Sequence, residues 1–145
     1  MPTYIDNRKA YFDYEVLETV EAGIELFGYE VKSIKAKQGN LQGAYVLIRG
    51  GEAYLAKTFV PPFQEKNTPA YDPERIRRLL LNKQEIKRLA EIDKKLTIVP
   101  ISMYSKGKNI KVEIAIVRGK KKYDKRETIK KRETDRDIRR TLKNS

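Results

Sequence analysis

The sequence predicts a mainly β, α+β domain: antiparallel strands closing into a small barrel, about three short helices, and a basic C-terminal tail that is disordered when free. Three observations predict it. Apolar residues recur with period two between glycine turns, short stretches carry helix-start chemistry, and the last 28 residues hold 13 of the 32 Lys and Arg but only 5 of the 20 Asp and Glu. Residues 118–145 therefore net +8 and residues 1–117 only +4 of the total +12. The clearly apolar side chains of that end are Tyr123, Ile129, Ile138 and Leu142. They bury too little to offset the ~1–2 kcal/mol per residue that ordering a backbone costs. The expected organisation is a folded domain over 1–117 and a tail over 118–145 that an acidic partner orders.

The elements follow in order. Tyr11 to Glu18 is rich in aromatic and branched residues and reads as a first strand ending near Ala22-Gly23, with a hairpin there. Ile24 to Ile34 reads as a second strand, bent or bulged at Gly28. Ala44–Arg49, Gly50-Gly51 and Glu52–Val60 form a hairpin, since two glycines supply the positive φ that a two-residue turn needs. Pro61-Pro62 and the polar stretch 64–70 form a surface connection. Asp72-Pro73-Glu74 has the chemistry of a helix start, with Asp as N-cap and Pro next, for a helix to about Leu81. Asn82 followed by Glu85 matches a capping box for a helix to about Ile92, whose Ile86, Leu89 and Ala90 make one apolar face. Leu79, Leu80 and Leu81 read as core. Ile98–Tyr104 and Ile110–Val117 pair across the turn 106–109, with one face core and the other largely solvent. Such a strand set suggests an OB-like barrel, a class that binds oligonucleotides.

Composition narrows the function. No Cys and no His excludes disulfides, thiolate chemistry and the commonest general base and zinc ligand. No apolar run approaches a membrane span and the start lacks a signal-peptide layout, so a cytoplasmic protein is expected. The cationic excess favours polyanionic partners, nucleic acid above anionic membrane.

Several blocks then become recognisable: Gly28-Tyr29-Glu30-Val31-Lys32-Ser33-Ile34, Asn40-Leu41, Gly51-Glu52-Ala53-Tyr54-Leu55, Arg78-Leu79-Leu80-Leu81-Asn82, and Arg118-Gly119-Lys120-Lys121 leading to Asp124-Lys125-Arg126-Glu127. In this order the chain resembles the small protein B (SmpB) family of tmRNA-binding proteins, from about Asn7 to Lys143. The resemblance implies trans-translation: binding the tRNA-like domain of tmRNA and delivering it to ribosomes stalled on broken messages. It implies tmRNA, the small-subunit decoding centre and, through alanyl-tmRNA, elongation factor Tu as partners. The implied protein is a monomer with no cofactor, no metal, no membrane partner and no catalytic residue. By position the implied tmRNA contacts are Glu30, Leu80, Asn82 and Lys111, with Lys32 and Lys35 beside them. The implied ribosome-binding tail uses Gly119 as hinge, Lys120, Lys121, Tyr123, the triplet Asp124, Lys125 and Arg126, and Ile138 in a late-ordering amphipathic stretch. Tyr123 stands where many members have His, which keeps a stacking face worth ~1–3 kcal/mol per base. Gly43 stands where an acidic or polar residue is usual, which bears on the short helix expected at Asn40.

The residue types suit that job. Lysines around Tyr123 place cations on phosphates and a ring on a base. Glu133 and Asp137 interleave with Arg136 and Arg140 at helical spacing, so the tail can become helical against RNA. Glu30 reads locally as an acid on the solvent face of a strand, where a carboxylate among lysines could accept from a base edge or a 2′-hydroxyl. Asn82 reads equally as a cap, and Leu80 as core unless it packs on a splayed base. Two other classes compete. A nuclease could use Asp13, Glu15 and Glu18 on metal ions, but alternation puts Glu18 on the other face. A general basic ribosomal or RNA-chaperone protein also joins a barrel to a basic extension.

Overall fold

The computed structural model describes residues 3–62 and 70–119. In chain order they form β1 (Thr3–Asp6), α1 (Lys9–Asp13), β2 (Tyr14–Ile24), α2 (Gly28–Lys35), β3 (Tyr45–Arg49), β4 (Glu52–Ala56), β5 (Arg77–Leu80), α3 (Lys83–Ala90), β6 (Leu96–Lys106) and β7 (Asn109–Gly119). The strands make one antiparallel seven-stranded sheet in the order β1-β6-β7-β2-β5-β4-β3. It curls so that β3 comes back towards β6. The concave face holds the main core, with Ile34, Leu41, Leu55, Leu79, Met103, Val112 and Ile114 sealed from solvent.

Both expected hairpins are present. Gly50 and Gly51 turn β3 into β4 at φ +56° and +75°, and Gly107 turns β6 into β7 at φ +63°. The second hairpin is covered on both faces at one end. Val99, Ile101, Ala115 and Val117 pack under Ala10 of α1 in a separate small core. A register shift between Pro100 and Ser102 returns Met103 to the main core. The same strands thus bury both faces at one end and present a solvent face at the other.

Four local expectations give way. Residues 24–34 are not a bent strand: β2 ends at Ile24 and α2 begins at Gly28. Glu30 accepts the Phe27 backbone N–H at 2.7 Å, and Glu30, Ser33 and Ile34 bury one helical face, so cap and burial override the β-branched residues. No hairpin forms at Ala22-Gly23, because β2 runs straight through from Tyr14 and residues 9–13 are helix. Asp72 caps a turn rather than a helix, accepting Glu74 N–H at 2.9 Å. The chain then goes extended because Arg77 and Leu79 point inward while Arg78 and Leu80 point outward, a period of two. Asn40 lies in an isolated bridge with Phe59, and its Oδ1 accepts Gln42 N–H at 2.8 Å. Gly43 just beyond it sits at φ +81°, a conformation that accounts for glycine there.

Helix α3 forms where expected, with both arms of the Asn82–Glu85 capping box in place at 2.8 and 3.1 Å. The leucine run does not act as a unit: Leu79 is fully buried, Leu81 packs on the core edge, and Leu80 is 48 % exposed. Among the described residues no helix is long and apolar enough to cross a membrane. Leu79→Ala should destabilise the fold by about 2–5 kcal/mol and Leu80→Ala by under ~1 kcal/mol, read as urea unfolding midpoints. Equal costs at the two positions would contradict this division of the run.

Candidate nucleic-acid interface

A row of residues crosses four strands on the exposed side of the sheet. Leu80 of β5 faces Gly23 of β2, Gly23 faces Lys111 of β7, and Lys111 faces Tyr104 of β6. Gly23 suits this crossing, since a Cβ on it would lie 3.0 Å from the Leu80 Cβ, a tight contact. Its bare backbone floors a hollow of about 310 Å³ with Leu26, Val31 and Leu80 on the apolar side and Lys108, Asn109 and Lys111 on the polar side.

Glu21 sits beside the row. It accepts from the Tyr104 hydroxyl and, at 3.1 Å, from the Lys106 ammonium. Those two bonds, aided by the field of Lys106 and Lys111, hold its carboxyl below the usual carboxylate range. Burial, and then the bond to Glu21, pushes the Tyr104 phenol up. The result is an ionised acceptor bonded to Lys106 and in the field of Lys111, opposite Glu113 on β7, beside a hollow that Lys108 and Lys111 line. Such a site can take phosphates on the lysines, a base in the hollow, and a base amino group or ribose hydroxyl on the carboxylate.

A second cluster lies inside the fold. Glu30 and Arg77 are both fully buried and in contact, with Arg77 Nε donating to Oε2 at 2.8 Å. Oε2 also accepts from Tyr71 at 2.7 Å and from Arg75 Nε at 3.1 Å, while Oε1 takes the Phe27 N–H and the second Arg75 arm. Arg77 spends its remaining protons on the carbonyls of Thr58, Pro73 and Arg75 and on the Tyr71 oxygen, at 2.8–3.1 Å. Burial opposes ionisation of Glu30. The Arg75 bonds, the Phe27 N–H, Tyr71 and Arg77 outweigh it, so its pKa falls below the usual value. Burial and the bond to Glu30 raise the Tyr71 phenol to about 12.

The SmpB protein family model matches residues 4–144. The chain belongs to the SmpB family. SsrA-binding proteins of Gloeothece citriformis and Thermosipho africanus are 49 % and 48 % identical to it, covering 95 % and 99 % of this chain and 91 % and 98 % of their own. The SsrA-binding protein of Levilactobacillus brevis is 50 % identical over 94 % of this chain and 88 % of its own. A solved chain described as "tmRNA-SmpB: a journey to the center of the bacterial ribosome" superposes with a TM-score of 0.68 at 41 % identity, over 81 % of this chain and 84 % of that one.

For this SmpB family member the expected contact residues separate into groups. Leu80 and Lys111 come together on the sheet face. Lys32 and Lys35 lie on the exposed side of α2, whose Val31 lines the same hollow. Asn82 is exposed but its Oδ1 is engaged by the helix cap. Glu30 is neither on a strand nor facing solvent, because α2 turns it into the core. Gly119 closes β7 opposite Tyr14. Lys120, Lys121, Tyr123, Asp124, Lys125, Arg126 and Ile138 lie outside the described residues, as does most of the 64–70 connection. Sequence reasoning missed Glu21, Gly23, Tyr104, Lys106 and Lys108. The signal was the alternation through Glu21 and Gly23, hidden by the hairpin expected at that glycine. Of the nuclease acids, Glu15 is paired with Arg118 and Glu18 with Arg88. Among the described residues no three His, Cys, Asp or Glu gather as a metal site.

Glu30→Gln should cost about 3–5 kcal/mol, since it leaves Arg77 buried without its counter-charge. A carboxyl with a depressed folded pKa stabilises above its unfolded value of ~4.3 and loses that contribution as pH falls through the folded value. Urea melts should therefore show stability falling below about pH 4.5 in the parent protein, with a flatter acid limb in Glu30→Gln. Parallel acid limbs would remove Glu30 from the linkage.

Proposed function

We propose that this protein binds the tRNA-like domain of tmRNA through the Leu80–Gly23–Lys111–Tyr104 face and carries it to stalled ribosomes in trans-translation. The observation that carries this is the placement of Glu21, the lysines and the apolar hollow on one exposed row, in a chain whose relatives are SsrA-binding proteins. Phosphate contacts supply affinity, and the carboxylate and hollow supply discrimination. Lys32, Lys35 and Asn82 flank this face as further contacts. Glu30 contributes from inside, by fixing α2 against β5. The curling sheet supports an OB-like barrel over residues 1–117.

Residues 118–145 act as the ribosome-directed tail, with Gly119 as hinge, Lys120, Lys121, Lys125 and Arg126 on phosphates, Tyr123 stacked on a base and Ile138 on an amphipathic helix. Asp124 separates those cations. The tail probes the small-subunit decoding centre and the empty message channel, and elongation factor Tu joins through alanyl-tmRNA. The protein works as a monomer in the cytoplasm, without cofactor or catalysis.

The test is competition binding of the full-length protein against the tRNA-like domain, ordinary tRNA and duplex RNA across salt. The tRNA-like domain should win by orders of magnitude at physiological salt. Three equal affinities that fade together would leave a general basic RNA binder instead. Lys111→Ala should weaken binding and lower the magnitude of the log–log salt slope by about one. Truncation after Gly119 should spare most tmRNA binding yet abolish tagging on stalled ribosomes. Normal tagging by the truncated chain would take the tail out of the mechanism.

A further inference from the structure

The exposed face of β5 does not stop at Leu80. Ile76, Arg78 and Leu80 all point outward, and Ile76 and Leu80 are 57 % and 48 % exposed. At ~3.3 Å per residue they make a stripe about 13 Å long. At its far end Arg75 donates to the Ile76 carbonyl at 3.5 Å and forms one half of a plate. The Arg75 guanidinium lies 4.1 Å from the centre of the Phe27 ring, which is itself 49 % exposed. The plate is fixed from behind. Arg75 presents Nε and a terminal nitrogen to the two carboxylate oxygens of the buried Glu30, a bidentate grip that sets the plane of the fork. Tyr29 stands beside Phe27, its ring centre 5.5 Å away and tilted by 33°, and is itself edge-on to Tyr71 at 5.0 Å. Folding ordinarily hides a phenylalanine, yet here several residues cooperate to hold one half in solvent.

We propose that the Phe27–Arg75 plate is a second base-stacking site, at which an extended single-stranded segment of the bound RNA continues from the Leu80–Lys111 hollow along the Arg78 stripe. This rests on the tmRNA-clamp reading of that hollow. Continuity supports it: Leu26, next to Phe27, lines the hollow, and Glu25 accepts from both Arg75 and Arg78. Charge supports the same division of labour. Arg78 is bonded to Glu25 and Glu52 at 3.1–3.2 Å, so the stripe carries little free positive charge and suits bases rather than phosphates. The ammonium groups of Lys108 and Lys111 sit on the other side of the hollow. Every base has a π face, so the plate adds affinity without reading sequence. Glu30 is a positioning residue for it.

The experiment titrates full-length Phe27→Ala and Phe27→Trp with the tRNA-like domain of tmRNA, with Lys111→Ala measured alongside and thermal unfolding as a check on folding. Phe27→Ala should bind about 5- to 150-fold more weakly, the range base stacking supplies. Its salt slope should stay unchanged, and Phe27→Trp should restore binding. The parent protein, photo-crosslinked to 5-bromouridine-substituted RNA, should yield an adduct on the peptide carrying Phe27. If Phe27→Ala binds within twofold of the parent while Lys111→Ala is weakened, the plate proposal fails and the clamp reading stands. If the parent itself shows no preference for the tRNA-like domain, the clamp reading fails first. Full RNA affinity with lost tagging would assign the plate to a protein partner and overturn its assignment to RNA.

Discussion

The contact between Glu30 and Arg77 is the constraint on which the rest of this fold hangs. Both groups are sealed from solvent, and neither could stay charged there without the other and without a partner for every remaining lone pair and proton. Glu30 belongs to α2 and Arg77 to β5. Tyr71, Pro73 and Thr58 bring in the chain on both sides of the 63–69 segment. One ionic centre therefore fixes a helix, a strand and a long connection in a single arrangement. Apolar contacts alone would tolerate sliding, whereas Arg77 on one carboxylate oxygen and the Arg75 fork across both leave one geometry.

That centre also sorts the cations. Arg77 points inward and Arg75 reaches Glu30 from the surface margin, each planar guanidinium satisfying several acceptors at once. The lysines at 32, 35, 106, 108 and 111 stay on the surface or its margin, where a hydrated ammonium can meet a phosphate at little cost. Net charge is thus a poor guide to this domain's interface, because its most conspicuous Arg-rich stretch, 75–78, is mostly spoken for by Glu30, Glu25 and Glu52.

The sequence was legible where local chemistry and tertiary demand agree. The Gly50-Gly51 hairpin, the Asn82 cap and the β6–β7 hairpin all carry turn or cap residues that leave few alternatives. It was misleading where one residue type serves two structures. Asp72-Pro73 starts turns as readily as helices, and what decides is that Arg77 must reach Glu30, a partner 47 residues away. Gly23 looked like a turn but is a close approach between β2 and Leu80, visible only once β5 is paired. Glu30 reads as the solvent face of a strand but is buried on α2, because Val31 and Ile34 suggest a strand and the cap at Phe27 has no side-chain signature. The family blocks pointed to Leu80 and Lys111. Only the register shows that Glu21 and Tyr104 stand beside them.

The β2–β7 ladder links the two ends of the proposed function. Gly23 pairs with Lys111 at the row proposed to face RNA, and Tyr14 pairs with Gly119, the last described residue. Nine residues of β2 separate those points, roughly 30 Å at ~3.3 Å per residue. The ladder is hydrogen-bonded along this length with one register shift near Leu17, and at the tail end α1 and its small core cover the outer face. A strand pair so braced transmits position, not merely connectivity. If the hollow holds RNA as proposed, Gly119 leaves the sheet at a fixed offset from it, set by the β2–β7 pairing. A tail attached through a loop would have to search a volume that grows with loop length. Here Gly119 is itself paired in the sheet, opposite Tyr14.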